Sequence, residues 1–264
     1  MKLDEKLQAV YDYWKPNRYS LKPYLIRDGK KHPFAVICPG GGYNMVCSFV
    51  EGKPFAEALN RRGHHAVVVY YRTKKKARYP HPQEDLKQAI TEILAHAEEW
   101  KLEHSGWSLW GSSAGGHLVA SYCMEDRGTP KPSALILVYP VITMGEQTHA
   151  GSRDNLLGRD ADPAMIEKLS VERHITADYP PTFIWNGAAD ELVDPVNSRM
   201  MEAALEQAGV PHKAEEFAGI GHGVGLAEGT NAEVWFDHAV SFWKKCGQLI
   251  MIIHDFSIDS VPAQ

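Results

Sequence analysis

The sequence predicts an α/β architecture, a mostly parallel central sheet flanked by helices on both faces, folded from its 264 residues as a single domain. Three observations carry that expectation. Short β-prone apolar runs alternate with stretches of helical periodicity along most of the chain. The runs are almost continuously apolar, which suits strands covered on both faces by helices. No internal repeat or low-complexity linker breaks the alternation, and the length allows one large domain with ample core.

In chain order, "SLKPYLIR" (20–27) is expected to add antiparallel pairing at one edge of the sheet. "FAVICPGGG" (34–42) is a first parallel strand that ends in glycines, followed by a helix from Lys53 to a Gly63 C-cap. "HAVVVYYRT" (65–73) is the next strand, and the helix after it opens with Pro82 in its first turn. "GWSLWGS" (106–112) runs directly into the helical "AGGHLVASYCM". "ALILVYPVI" (134–142) and "PTFIWNG" (181–187) follow, then "KAEEFAG" (213–219), polar enough for an edge. "PVNSRMMEAALEQAG" and "NAEVWFDHAVSFWKK" supply the remaining helices. Residues 143–180 separate two strands by more than a crossover helix requires, and this insertion is expected to cap a binding site. The C-terminal "LIMIIHDFSIDSVPAQ" is apolar in its first half and is expected to dock on the body or on a neighbouring subunit of a homo-oligomer.

The charge balance narrows the partners. A formal net charge of −5 and a pI near 6.2 argue against nucleic acid and anionic membranes as partners. "LIMII" is too short to span a bilayer, and the N-terminal "MKLDEKLQAVYDYWK" lacks the apolar core of a signal peptide. Cys38, Cys47, Cys123 and Cys246 show no zinc-ligand spacing. The expectation is a cytoplasmic, reduced protein with no metal or organic cofactor.

Ligands of parallel α/β sheets bind outside the carboxyl ends of the strands, so the residues just after each strand matter most. After the third parallel strand comes Gly111-Ser112-Ser113-Ala114-Gly115, a G-x-S-x-G pattern that places Ser113 at the apex of a strained strand-to-helix turn. The Ala114 amide there points toward developing negative charge. A serine hydroxyl needs a base, and His222, set among glycines in "GIGHGVG", is the candidate. An imidazole in that role needs a carboxylate, and Asp190 follows the fifth strand. The intervals of 77 residues from Ser113 to Asp190 and 32 from Asp190 to His222 leave room for the intervening elements. Ser112, off the motif's centre, is the rival nucleophile. Asp194, ahead of Pro195 and better suited to capping a helix, is the rival acid.

With "CPGGGY", "VVVYYRT", "YPHPQEDLKQAI", "WGSSAGGHLVA", "WNGAADELVDP" and "GIGHGVGL" in that order, the chain resembles α/β-hydrolases of the esterase/lipase group, close to bacterial acetyl-xylan and related carbohydrate esterases. Relatives of the hormone-sensitive-lipase type carry His where this chain has Pro39. The resemblance implies an oxyanion hole at Gly41, Gly42 and Ala114, and a serine carboxylesterase acting on short acyl esters of small molecules or oligosaccharides. It also implies a structural ion pair between Arg72 and Asp85. Tyr43 and Asn44, just past the glycines, are expected to contact substrate, while His117 packs beneath the site and Trp110 in the core. "KKKAR" (74–78) reads as a solvated loop. A prolyl-oligopeptidase-type peptidase and an inactive ligand receptor on the same fold are the competing readings. The first usually has Tyr after the nucleophile, where this chain has Ala114.

Overall fold

Seven strands form one sheet in the order β1-β3-β2-β4-β5-β6-β7. In this computed structural model, which describes residues 19–258 and side chains as far as residue 248, they are β1 (Ser20–Tyr24), β2 (Phe34–Cys38), β3 (His65–Tyr70), β4 (Ser108–Ser112), β5 (Ala134–Val138), β6 (Thr182–Gly187) and β7 (His212–Phe217). All neighbours pair in parallel except β1, which runs antiparallel to β3 with Ser20 opposite Tyr70. Every residue of β2, β4, β5 and β6 is buried, whereas the edges β1 and β7 are only partly covered. Within the sheet, lysine and glutamate side chains are therefore confined to the edges β1 and β7.

Alternation along the strands divides the apolar side chains between two cores. Val36, Cys38, Leu135 and Leu137 face α2 (His81–Ala95), α3 (Ser113–Cys123) and α6 (Val196–Gln207). Ala35, Ile37, Ile136 and Val138 face α1 (Lys53–Arg61) and α7 (Trp235–Ile258). On that second side Trp185 stacks on Trp235 at 5.1 Å, and Phe236 packs 5.3 Å from Trp110. Trp110 is thus a core residue, and its indole N–H donates to Ser108 Oγ at 2.8 Å.

The insertion holds two short helices, α4 (Ala150–Leu156) and α5 (Pro163–Leu169), and a 3-10 turn at Val171–Arg173. It is tied down along its length. Tyr79 N–H donates to Leu156 O, Asn197 Nδ2 to Gln147 O and Tyr179 Oη to Ala120 O, each at 2.9–3.0 Å. Arg78 donates to the Asp154 and Asn155 carbonyls at the end of α4. The basic run 74–78 is therefore more than a solvated loop: its arginine closes the carbonyl end of an insertion helix. Residues 249–258 of the C-terminal tail continue α7, while the side chains on which its expected docking depends, and the N-terminal segment read for a leader, lie outside the described residues.

Candidate active site

The site forms at the carboxyl ends of β2, β4, β6 and β7. Ser113 is the first residue of α3 and has φ +52°, a left-handed conformation uncommon for a non-glycine residue. The chain turns there from strand to helix so abruptly that a Cβ on Gly115 would lie 2.1 Å from Cys38 O and 2.5 Å from Pro39 O. Only glycine lets α3 approach β2 so closely. The strained backbone turns Ser113 onto the cavity wall, while Ser112, buried at the strand end, does not line the cavity.

Loops from β6 and β7 meet that hydroxyl. His222 Nε2 lies 2.9 Å from Ser113 Oγ, and His222 Nδ1 lies 2.6 Å from Asp190 Oδ2. Asp190 is buried, and its other oxygen accepts the Leu192 and Val193 amides at 3.0 and 2.9 Å. A carboxylate held this way accepts a hydrogen bond from Nδ1–H, which fixes the proton there and leaves Nε2 free to accept from Ser113 Oγ–H. Asp194 stands elsewhere, accepting the Val196 amide at 2.9 Å as a cap for α6.

The glycine turn after β2 faces this trio. Gly41 has φ +122°, and its carbonyl accepts from the Asn44 and Met45 amides at 2.9 and 3.1 Å. Among the described residues no acceptor takes the Gly41 or Gly42 amide, and the Ala114 amide lies in the open first turn of α3. The Gly40 amide is different: it donates to Glu51 Oε2 at 2.6 Å. Glu51 sits in a π-helical turn, Ser48–Gly52, and its other oxygen accepts from Tyr139 Oη at 2.8 Å. The same Tyr139 oxygen accepts the Gly225 amide at 3.2 Å, and the Tyr139 ring lies 4.8 Å from the His222 ring. A buried polar bridge thus joins the glycine turn to the histidine loop. Burial pushes the Glu51 carboxyl pKa up, and its two hydrogen bonds oppose that.

Of the two residues expected to contact substrate, Asn44 lines the cavity and Tyr43 does not. Tyr43 has φ +57°, which turns its ring inward, and it is fully buried with its hydroxyl 2.8 Å from His117 Nδ1. It is a strut beneath the loop. His117 lies 2.8 Å from Leu169 O through Nε2, so the proton sits there and Nδ1 accepts from Tyr43. Burial pushes the His117 pKa down to about 4. Farther below, Arg72 and Asp85 form the ion pair the sequence implied, at 2.9 Å, with the Arg72 amide also donating to Asp85 at 2.8 Å.

The cavity over Ser113 and His222 measures about 340 Å³. Cys47, Val50 and Leu192 give it apolar surface, and the insertion contributes His149 and Asn155. Neither of these two, nor Glu51, was legible in the sequence. Among the described residues no three potential metal ligands converge, and no helix is long and apolar enough to cross a membrane.

Comparison with known proteins agrees with this fold. Endo-1,4-beta-xylanase B of Butyrivibrio fibrisolvens is 31% identical over 238 residues, which cover 81% of this chain and 37% of that protein. An acetylxylan esterase of Xylanibacter ruminicola is 34% identical over 179 residues, covering 65% of this chain and 36% of that protein. The chain therefore spans just over a third of the length of these two relatives. An acetyl ester-xyloside bifunctional hydrolase from Caldicellulosiruptor lactoaceticus superposes with a TM-score of 0.81 at 30% identity, over 86% of this chain and 88% of that one. The carboxylesterase Cest-2923 from Lactobacillus plantarum superposes with a TM-score of 0.75 at 28% identity, over 86% and 92%. The family model of the alpha/beta hydrolase fold matches residues 36–226, and the chain belongs to that family.

Proposed function

We propose that this chain is a serine carboxylesterase that hydrolyses short acyl esters, acetyl esters of sugars or oligosaccharides foremost. One observation carries the chemistry: a hydroxyl, an imidazole and a buried carboxylate in hydrogen-bonded series at 2.9 and 2.6 Å. Ser113 Oγ attacks the ester carbonyl as His222 Nε2 takes its proton, and Asp190 stabilises the imidazolium. The oxyanion forms against the amides of Gly41, Gly42 and Ala114. Collapse of the tetrahedral intermediate expels the alkoxide, which takes the proton from His222, and leaves an acyl-Ser113 ester. Water, deprotonated by His222, attacks that ester; the acid departs and Ser113 recovers its proton. Residues 143–180 cap this chemistry, and Asn44 contributes at the rim.

The acetyl preference draws on a cavity of modest size and on relatives whose names include acetylxylan esterase and acetyl ester-xyloside hydrolase. The test pairs hydrolysis of p-nitrophenyl acetate, butyrate and octanoate with acetate release from acetylated xylo-oligosaccharides. Ser113→Ala is expected to lose at least about 10⁴-fold in kcat and to refuse a fluorophosphonate label. A folded protein that keeps its activity in that variant would refute the assignment of Ser113.

A further inference from the structure

Two polar atoms on the cavity wall have no partner among the described residues, and they are opposite in kind. His149 precedes α4, where its Nδ1 accepts the Ser152 amide at 3.3 Å and lies 2.8 Å from Ser152 Oγ. A ring nitrogen that accepts an N–H carries no proton, so in the neutral ring the proton resides on Nε2. Burial, with His222 nearby, lowers the His149 pKa and keeps the ring neutral at pH 7. Nε2–H is therefore a fixed donor, and among the described residues nothing accepts from it. Asn155, in the last turn of α4, donates from Nδ2 to Gly42 O at 2.8 Å. That bond fixes the orientation of the amide and leaves Oδ1 as an acceptor with no partner among the described residues. Neither atom is sealed away from solvent.

Both groups flank the same glycine. A Cβ on Gly42 would lie 3.7 Å from His149 Cε1, the carbon next to Nε2, and Asn155 is bonded to the carbonyl of that residue. Gly42 is half of the glycine pair that faces Ser113, so anything bound at His149 and Asn155 sits beside the reacting carbonyl. A donor and an acceptor that flank one glycine suit hydroxyl groups, which do both. An alcohol without hydroxyls would leave the two to water, and a site built to bond a hydroxyl discriminates against an analogue that lacks it.

We propose that His149 and Asn155 form a subsite for hydroxyls that neighbour the ester bond in a sugar or polyol substrate, His149 donating and Asn155 accepting. The subsite rests on the esterase reading and assigns its alcohol specificity to the insertion. Neither residue takes part in the proton transfers at Ser113.

The test compares two acetates of similar ring size, a mono-O-acetylated methyl β-xyloside and cyclohexyl acetate. Their kcat/KM values are measured for wild type, His149→Asn and Asn155→Leu. Asparagine at position 149 still caps α4 but ends short of the Nε2 position. Asn155→Leu also frees the Gly42 carbonyl, so both its rates can fall; the ratio isolates the subsite. Wild type is expected to favour the sugar acetate at least about tenfold, and each variant to reduce that ratio about tenfold. A wild type without preference, or a ratio unchanged in both variants, overturns the subsite and leaves the esterase reading standing. A folded wild type that cleaves no ester and takes no fluorophosphonate label overturns both.

Discussion

At the scale of single residues, Glu51 tests how much the site owes to groups outside the proton relay. Its carboxyl is the acceptor for the Gly40 amide, and Gly40 precedes the two glycines whose amides face Ser113. Removing the acceptor leaves a buried amide unpaired, which costs roughly 1–3 kcal/mol, and frees the turn to shift. Glu51→Ala is therefore expected to lower kcat about ten- to a hundredfold with a smaller change in KM, because a misplaced oxyanion hole is felt chiefly in the transition state. Tyr139→Phe, which spares the Gly40 bond, should lose less. Steady-state kinetics on p-nitrophenyl acetate, with active sites counted by fluorophosphonate labelling, decide it, and a kcat loss that vanishes per labelled site would assign Glu51 to folding alone. The same comparison explains what the sequence reveals. Ser113, Asp190 and His222 are legible because each follows a strand end in a local pattern of glycines. Glu51 is not, because its partners lie 11 and 88 residues away and its own stretch reads as the approach to an ordinary helix.

At the scale of elements, the junction of β4 with α3 depends on contact between backbones. Gly115 faces Cys38 O and Pro39 O, atoms of a central strand end that cannot move without shifting the glycine turn. Gly116 instead faces the ring of Pro140, 2.6 Å from a built Cβ. Gly115→Ala is expected to cost about 3 kcal/mol or more, as overpacking against backbone does, and to abolish activity by moving Ser113 relative to the hole. Gly116→Ala should be the milder of the two, since α3 need not separate from β2. Urea unfolding of the two variants gives the ranking, and the reverse order would contradict this account of the elbow. Strands and helices were legible here because burial on both faces leaves continuous apolar runs between helical periods. The insertion was legible only as an interval of unusual length. Its placement depends on Arg78, His117 and Asn197 reaching it from distant segments, and no local periodicity records such bonds.

At the scale of the whole molecule, acid should act through histidines that are buried neutral. His117 and His64 are both pushed down to about 4, chiefly by burial, with Lys244 adding to the effect on His64. In the unfolded chain an imidazole titrates near 6.5, to within about a unit. Between those values the unfolded state binds protons that the folded state refuses, so stability rises with pH across that window. It is fully present above about 6.5 and is lost progressively as pH falls toward 4. Glu51 acts with the opposite sign, since its raised pKa lets the folded state keep a proton that the unfolded chain has released. A single variant separates these contributions. His117→Gln can still donate to Leu169 O and accept from Tyr43, but it does not titrate. Wild type is expected to lose about 2 kcal/mol more stability than this variant between pH 7 and pH 5, read by urea unfolding at each pH. Identical losses would place the acid sensitivity elsewhere. A protonated His117 can no longer accept the Tyr43 hydroxyl, and its other nitrogen holds Leu169 of the insertion. Acid should therefore loosen the loop after β2 and the insertion together, and activity toward esters should fall before the sheet unfolds.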